Sequence, residues 1–376
     1  MTIKVAIDNQ IFSSQVYGGI SRYFSSLGLK LSRMEGVGPQ IVAPMHYSAY
    51  LDDLPRGLVI GGRVKRTSRT SLINRVASSV MASFTMRRLK PDLVHKTYYY
   101  PLPIMPRNTP TVITVFDMIH EKFPQSFRKN DPVAVWKKSA VAKSDHIICI
   151  SENTKRDLLD LYSLPEEKVS VTYLGYDTLS QAVPSQHEID QLDHVLDSSC
   201  SYILYVGSRV GYKNFSGLLR AYSLSKFLRE NYLILCFGGG HFDEYESRLI
   251  SKYGLSGRVR HIGGTDAVLA DCYRNASLFV YPSLYEGFGI PPLEAMSLGC
   301  PVACSNTSSI PEVVGDAAAM FDPSEPESIC STMEYVLSAA TVSEELVRRG
   351  RQRKSLFSWQ KCALETVETY KKVIQK

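Results

Sequence analysis

Two glutamates, Glu286 and Glu294, stand in the stretch EGFGIPPLE with seven residues between them. Carboxylates accept hydrogen bonds, so one on a loop and one a turn inside a helix can hold hydroxyl groups at two depths of one pocket. The residues between them extend that reading. Gly287 and Gly289 flank Phe288 and precede Ile290, and glycines let the backbone approach a ligand closely. Pro291 and Pro292 fit the first turn of a helix. The N–H groups at a helix start favour an anion such as pyrophosphate. Two glutamates alone would read as a surface side chain and a cap; the glycine–proline context shifts the reading toward a ligand bearing both hydroxyls and phosphates.

Other stretches carry complementary chemistry. YVGSRVGYKN, residues 205–214, places Arg209 and Lys213 on a glycine turn between a strand and a helix. Cations there can neutralise a diphosphate that gains charge as a bond to it breaks. YGGISRY, residues 17–23, supplies Gly18 and Gly19 after the first strand. It does not fit G-x-G-x-x-G, so nicotinamide binding is not supported. TVFDMIHE, residues 114–121, ends a strand with Asp117 and His120, which can bind or activate an acceptor hydroxyl. VHKTYYYP ends another strand with His95, Tyr98 and Tyr99, whose rings suit the apolar faces of sugars. Gly263 and Gly264 follow a later strand, and SENTKRD, residues 151–157, opens a capped helix.

These groups need elements to hold them. Short apolar runs (KVAIDN, QIVAP, LVHKT, TVITVFD, HIICIS) alternate with helical segments in the first half. A second series (YILYVGS, YLILCFGG, VRHIGG, LFVYPS, PVACSN) does the same from residue 202. The pattern predicts α/β architecture with two parallel, doubly wound sheets. The expected boundaries are 1–178, a polar linker at 179–201 with a short helix inside it, and 202–358. A helix over 359–376 either closes the second domain or crosses back to the first. Ligands of open α/β sheets bind beyond the carboxyl ends of the strands, where all the stretches above fall.

Composition narrows the class. Hydrophobic residues make up 44% and charged residues 21% of 376, ordinary for a globular protein with a sizeable core. The opening MTIKVAIDN reads as a strand rather than a secretory leader, and no apolar run is long enough to span a bilayer. Eight scattered cysteines, without a partner pattern for zinc, read as buried free thiols in a reducing, cytoplasmic setting. Within a net charge of +6, residues 54–91 contain no acidic side chain and carry Arg63, Lys65, Arg66, Arg69, Arg75, Arg87, Arg88 and Lys90. Such a stretch is either a solvated face or a site for anionic head groups or phosphorylated acceptors. Nucleic-acid module signatures are lacking, so nucleic acid is not an expected partner.

Taken together, these motifs resemble the retaining glycosyltransferases of family 4. The likeness is strongest over residues 202–323 and weaker before residue 92. It implies the GT-B fold, two Rossmann-like domains facing across a cleft, and a nucleotide-sugar donor. In the family's pattern the two glutamates mark the donor site: Glu286 would contact the sugar hydroxyls and Glu294 the nucleotide ribose. Lys213 matches the family's loop lysine, Arg209 would supply the second cation as it does in members whose arginine follows the glycine, and Gly18 and Gly19 would contact the donor phosphates or sugar. The loop at Gly263 and Gly264 would lie near the base. Two positions depart: Tyr212 precedes the lysine, and Phe116 stands where many members have histidine, which leaves His120 as the acceptor-side candidate. The chain contains no D-x-D sequence, so no metal and no other cofactor is expected. The segment 285–318 is similar to bacterial mannosyltransferases of O-antigen and exopolysaccharide assembly. That implies GDP-mannose as donor, a polyprenyl-diphosphate-linked glycan as acceptor, and peripheral contact with the inner membrane face through residues 63–90. Competing readings are a UDP-sugar-dependent transferase, a nucleotide-sugar epimerase or hydrolase, and a catalytically silent binding subunit.

Overall fold

The computed structural model describes residues 2–67, 71–102, 106, 108–176, 183–196 and 200–375. The chain forms two compact units: residues 1–175 with 358–376, and residues 176–357.

The first unit is built on a parallel sheet of seven strands among the described residues: β1 (Ile3–Ile7), β2 (Val37–His46), β3 (Val59–Arg63), β4 (Leu93–Lys96), β5 (Thr111–Val115), β6 (His146–Cys149) and β7 (Val169–Val171), in the order β3-β2-β1-β4-β5-β6-β7. The second unit repeats the plan with β8 (Tyr202–Val206), β9 (Leu233–Phe237), β10 (Val259–Ile262), β11 (Leu278–Tyr281), β12 (Val302–Ser305) and β13 (Ala319–Phe321), ordered β10-β9-β8-β11-β12-β13. Central strands such as β4, β5, β9 and β11 are buried along their whole length. Strands covered on both faces must be apolar throughout, which is why they stand out as continuous runs. In each sheet the order reverses beside the first strand, so the loops after β1, β4, β8 and β11 open a crevice at its carboxyl edge.

Residues 186–195, inside the stretch expected to be a linker, form the helix Gln186–Val195. A capping box between Ser185 and Glu188 starts it, and Arg260 Nη1 donates to the Val195 carbonyl at 2.9 Å. This helix belongs to the second unit. Residues 177–182 and 197–199 lie outside the described residues.

The terminal helix Trp359–Ile374 belongs to the first unit and packs on the helix Gly19–Leu31. Its anchor is polar. His95, fully buried on β4, places Nδ1 2.6 Å from the Tyr370 hydroxyl and Nε2 2.8 Å from Thr114 Oγ1. With both nitrogens occupied inside the core, His95 is a structural pin and not a ligand-facing side chain. Seven of the eight cysteines are buried and Cys200 is half-buried, all as free thiols.

Burial drives the His95 pKa down to about 3. The unfolded chain takes up a proton near pH 6.5 while the folded chain does not, so stability is full above about 6.5 and falls as the pH drops toward 3, by up to about 1.4 kcal/mol per unit. Melting curves across this range should show the first unit weakening on acidification. The His95→Gln protein, less stable at neutral pH, should show a shallower slope; identical slopes would refute the pin.

Candidate active site

The loop after β11 begins the site in the second unit. Glu286 is buried, with its N–H donating to Ser308 Oγ at 3.0 Å. Ser309 Oγ lies 2.9 Å from both the Glu286 and Phe288 carbonyls. The two serines thus fix the backbone on either side of Gly287. Phe288 packs edge-on against Phe357, with centroids 5.6 Å apart, and anchors the turn in the core. Gly289 then adopts φ 110°, a conformation side chains rarely take, and caps the helix Ile290–Ser297. This helix start differs from the usual one. Proline lacks an N–H, so a helix that starts Ile290–Pro291–Pro292 loses two of the donors a helix start usually offers. Of the residues at this start, Gly289 and Ile290 keep their N–H groups.

Lys213 closes a short 3-10 turn, Gly211–Lys213, after β8. Its Nζ reaches Glu286 Oε1 at 2.7 Å and lies 5.7 Å from the centroid of the Tyr281 ring. Burial, and then the charge of Glu286 beside it, push the Tyr281 phenol well above its ordinary range. That hydroxyl stays protonated beside the Glu286 carboxylate. Lys213, Tyr281 and Glu286 therefore form one cluster at neighbouring strand ends. Glu294 is also buried, one turn into the helix, and accepts from the Tyr273 hydroxyl at 3.3 Å.

Arg209 occupies a different post from the one expected of it. Its Nε donates to Glu246 Oε1 at 2.8 Å, Nη1 to the Gly238 carbonyl at 2.9 Å, and Nη2 to the Gly240 and His241 carbonyls at 2.8 and 3.0 Å. Its side chain is 2% exposed. The fork thus braces the glycine turn 238–240 after β9, whose three residues all have positive φ. A side chain at Gly239 would meet Arg209 Nη1 and the Gly207 carbonyl, both at 2.8 Å. Arg209 is not a second free cation here; Lys213 alone of the two reaches the glutamate cluster.

Gly263 rims an open groove of about 580 Å³ lined also by His187, His194, His241 and His261. Burial holds His261 below the ordinary histidine range, and its Nε2 lies 3.1 Å from the Gly238 carbonyl. A side chain at Gly263 would meet no atom within 4 Å, whereas Gly264 faces Val268.

In the first unit a buried lysine that sequence reasoning missed gathers the acceptor-side candidates. Lys137, 1% exposed, donates to Glu121 Oε2 at 2.8 Å and the Asp117 carbonyl at 2.9 Å, and its Nζ is 5.5 Å from the Tyr99 ring centroid. Asp117 Oδ1 accepts from the Ile119 N–H at 3.0 Å. His120 stacks on Phe127 at 3.8 Å, and its buried Nδ1 has no partner among the described residues. Burial first, and the Lys137 ammonium second, lower its pKa. Phe116, in the position of the family's histidine, is a core residue packed against Tyr23 at 5.2 Å.

Gly18 caps the helix Gly19–Leu31, and Gly19 has open space beside it. Tyr98 and Tyr99 line a cavity of about 650 Å³ with Gln10, Lys96, Tyr100 and Trp136. Gln10 is buried there with Nε2 donating to Asp8 at 2.8 Å and Oε1 unpartnered among the described residues.

Arg209 and Glu246 form a buried pair, so removing one charge strands the other. Chemical denaturation of Arg209→Met should show a loss of about 3–5 kcal/mol. A loss below about 0.5 kcal/mol, as for a surface pair, would contradict the brace.

Comparison with known proteins identifies the family. Residues 188–353 match the family described as glycosyl transferases group 1, and residues 17–179 match Glycosyltransferase Family 4. The chain is 31% identical over 297 residues to the O-antigen chain mannosyltransferase B of Escherichia coli, covering 77% of this chain and 76% of that one. It is 30% identical over 239 residues to the serotype-specific mannosyltransferase WbdA of Escherichia coli, covering 62% of this chain but 29% of that protein. In fold it is similar to sucrose-phosphate synthase from Thermosynechococcus elongatus, with TM-score 0.74, 19% identity and 99% of each chain covered. The chain belongs to glycosyltransferase family 4 and is a glycosyltransferase with the two Rossmann-like domains of the GT-B fold.

Proposed function

We propose that the enzyme transfers a mannosyl group from GDP-mannose, with retention and without a metal, to a growing cell-surface glycan carried on a lipid diphosphate. The observation that carries the donor half is the Lys213 ammonium 2.7 Å from the Glu286 carboxylate, at the mouth of the 287–290 turn. When a nucleotide sugar binds, Lys213 and the N–H groups of Gly289 and Ile290 neutralise its diphosphate, and Glu286 turns to the sugar hydroxyls. Charge on the leaving diphosphate grows as the glycosidic bond breaks, so fixed donors there lower the barrier. Glu294 takes the ribose hydroxyls, and the groove at Gly263 takes the base. Arg209 acts through the turn 238–240, as a positioning residue.

The acceptor hydroxyl enters on the same face from which the diphosphate leaves, which preserves the anomeric configuration. Asp117 and His120 are the acceptor-side polar groups, with the imidazole neutral at pH 7 and able to accept a hydrogen bond. Tyr98 and Tyr99 offer ring faces to a sugar, beside Gln10 in the 650 Å³ cavity. Mannose as the transferred sugar is supported by the names of relatives about 30% identical to this chain over the aligned residues. A lipid-carried acceptor places the work at the cytoplasmic membrane face, toward which the acid-free stretch 54–91 would be drawn.

Purified enzyme incubated with GDP- and UDP-sugars and a mannose-terminated acceptor tests each part. The expected product is an α-mannoside from GDP-mannose, with the rate unchanged by EDTA. A β-anomer by NMR would exclude retention, loss of activity with EDTA would exclude metal independence, and turnover of a UDP-sugar alone would move the donor assignment. Glu286→Gln should lower kcat/KM by about a hundredfold or more. Nucleotide-sugar breakdown at full rate without acceptor would instead identify a hydrolase.

A further inference from the structure

The helix Ser71–Leu89 is built inside out. Its buried side consists mainly of small residues: Ser78, Ser79, Ala82 and Ser83, with Met86. Ser78 Oγ accepts from Asn9 Nδ2 at 3.1 Å and from the Met45 N–H at 3.3 Å, which draws the helix close to the sheet. The opposite side is large and apolar. Leu72, Ile73, Val76, Val80, Met81 and Phe84 are 43–67% exposed. At 3.6 residues per turn, 72, 73, 76, 80 and 84 share one stripe, with Met81 on its border. Among the described residues no other helix exposes more than one large apolar side chain.

Charge says what covers the stripe. The helix contains no acidic residue. Arg87 falls on the apolar stripe itself and is exposed, with its guanidinium 5.9 Å from the Phe84 ring centroid. Arg88 and Lys90 at the end of the helix are exposed, as is Lys65 in the segment before it. Three of the basic residues do not contribute in the same way: Arg63 pairs with Asp52, Arg66 lies over the Tyr47 ring at 6.0 Å, and Arg75 lies over the Tyr100 ring at 4.6 Å. Arg69 lies outside the described residues. A helix face that is apolar along its length, bordered by cations and free of anions, matches the interface of an anionic bilayer, where acyl chains take the large side chains and head groups take the arginines.

We propose that Ser71–Leu89 is a membrane-docking helix that lies in the plane of an anionic bilayer with Leu72, Ile73, Val76, Val80 and Phe84 inserted. The contact is hydrophobic insertion, with the basic residues supplying attraction and orientation. A cavity of about 520 Å³ lined by Met86, Arg87 and Lys90 from this helix region, with Pro106 and Thr109, opens beside it. Docking in this plane would therefore hold the first unit next to lipid-carried substrate. In that biological sense the inference rests on the reading of a lipid-linked acceptor given above.

Vesicle flotation of the full chain tests it, with phosphatidylglycerol–phosphatidylcholine mixtures against phosphatidylcholine alone. The expected result is binding to the anionic vesicles that survives in part at 0.5 M salt. The variant Ile73→Ser/Val80→Ser/Phe84→Ser should melt at the wild-type temperature and bind about tenfold or more weakly. Arg87→Gln/Arg88→Gln should lose the preference for anionic lipid. Wild-type binding by the triple-serine variant, complete release at high salt, or no vesicle binding by the wild type would overturn the proposal. So would a soluble dimer that the triple-serine variant dissociates while vesicle binding is absent. Transfer to a water-soluble acceptor, measured in parallel, separates the two ideas: it should be equal in wild type and triple-serine variant, and its absence in both would count against the function and leave the docking helix standing.

Discussion

A buried carboxylate needs a cation, and Glu286 has Lys213. Leaving an ionised carboxyl unpaired in so closed a position would cost several kcal/mol, so the glutamate and the lysine fix each other's place. The pairing also determines what the site can exchange. A ligand that brings its own anion and its own hydroxyls can take the ammonium from one side and the carboxylate from the other, replacing the internal salt bridge with one external ion pair and hydrogen bonds from the hydroxyls. A ligand offering only one of these would leave the partner stranded. The proposed preference for a molecule that is both sugar and diphosphate rests on this constraint.

The rest of the second unit serves the pair. Parallel strands set β8 and β11 side by side, so the loops bearing Lys213 and Glu286 start from adjacent strand ends. Ser308 and Ser309, after β12, hold the backbone of the glutamate loop. After β9, Arg209 and Glu246 hold the glycine turn that forms the next wall. The first unit uses the same device with different residues. Buried Lys137 fixes Glu121 and the Asp117 backbone, and the pair organises the short helix that carries His120.

Much of this could be read from residue order alone, for a physical reason. Strands buried on both faces are unbroken apolar runs, and the 286–294 stretch combines glycine, proline and glutamate in an order with few other uses. What escaped reading has physical causes too. β3, spelled VIGGR, is an exposed edge with two glycines, and β7 and β13 are three residues long. Ser71–Leu89 hides serines and exposes leucine and phenylalanine, which inverts the pattern by which a helix is recognised. His95 resembles its tyrosine neighbours in being polar and near a strand end, yet it points into the core because Tyr370, far along the chain, receives it. The Arg209–Glu246 brace and the Lys137–Glu121 pair join residues on different elements, and only the folded chain brings them together.

The exchange at Lys213 and Glu286 can be measured directly by calorimetric titration of nucleoside diphosphate and of the matching nucleotide sugar into three proteins. Wild type should bind both. Lys213→Met should bind both at least about tenfold more weakly, since it lacks the cation that meets the diphosphate. Glu286→Gln should keep or improve its affinity for the diphosphate while losing affinity for the nucleotide sugar, because only the sugar needs the carboxylate. Equal affinities across all three proteins would contradict the donor site drawn here.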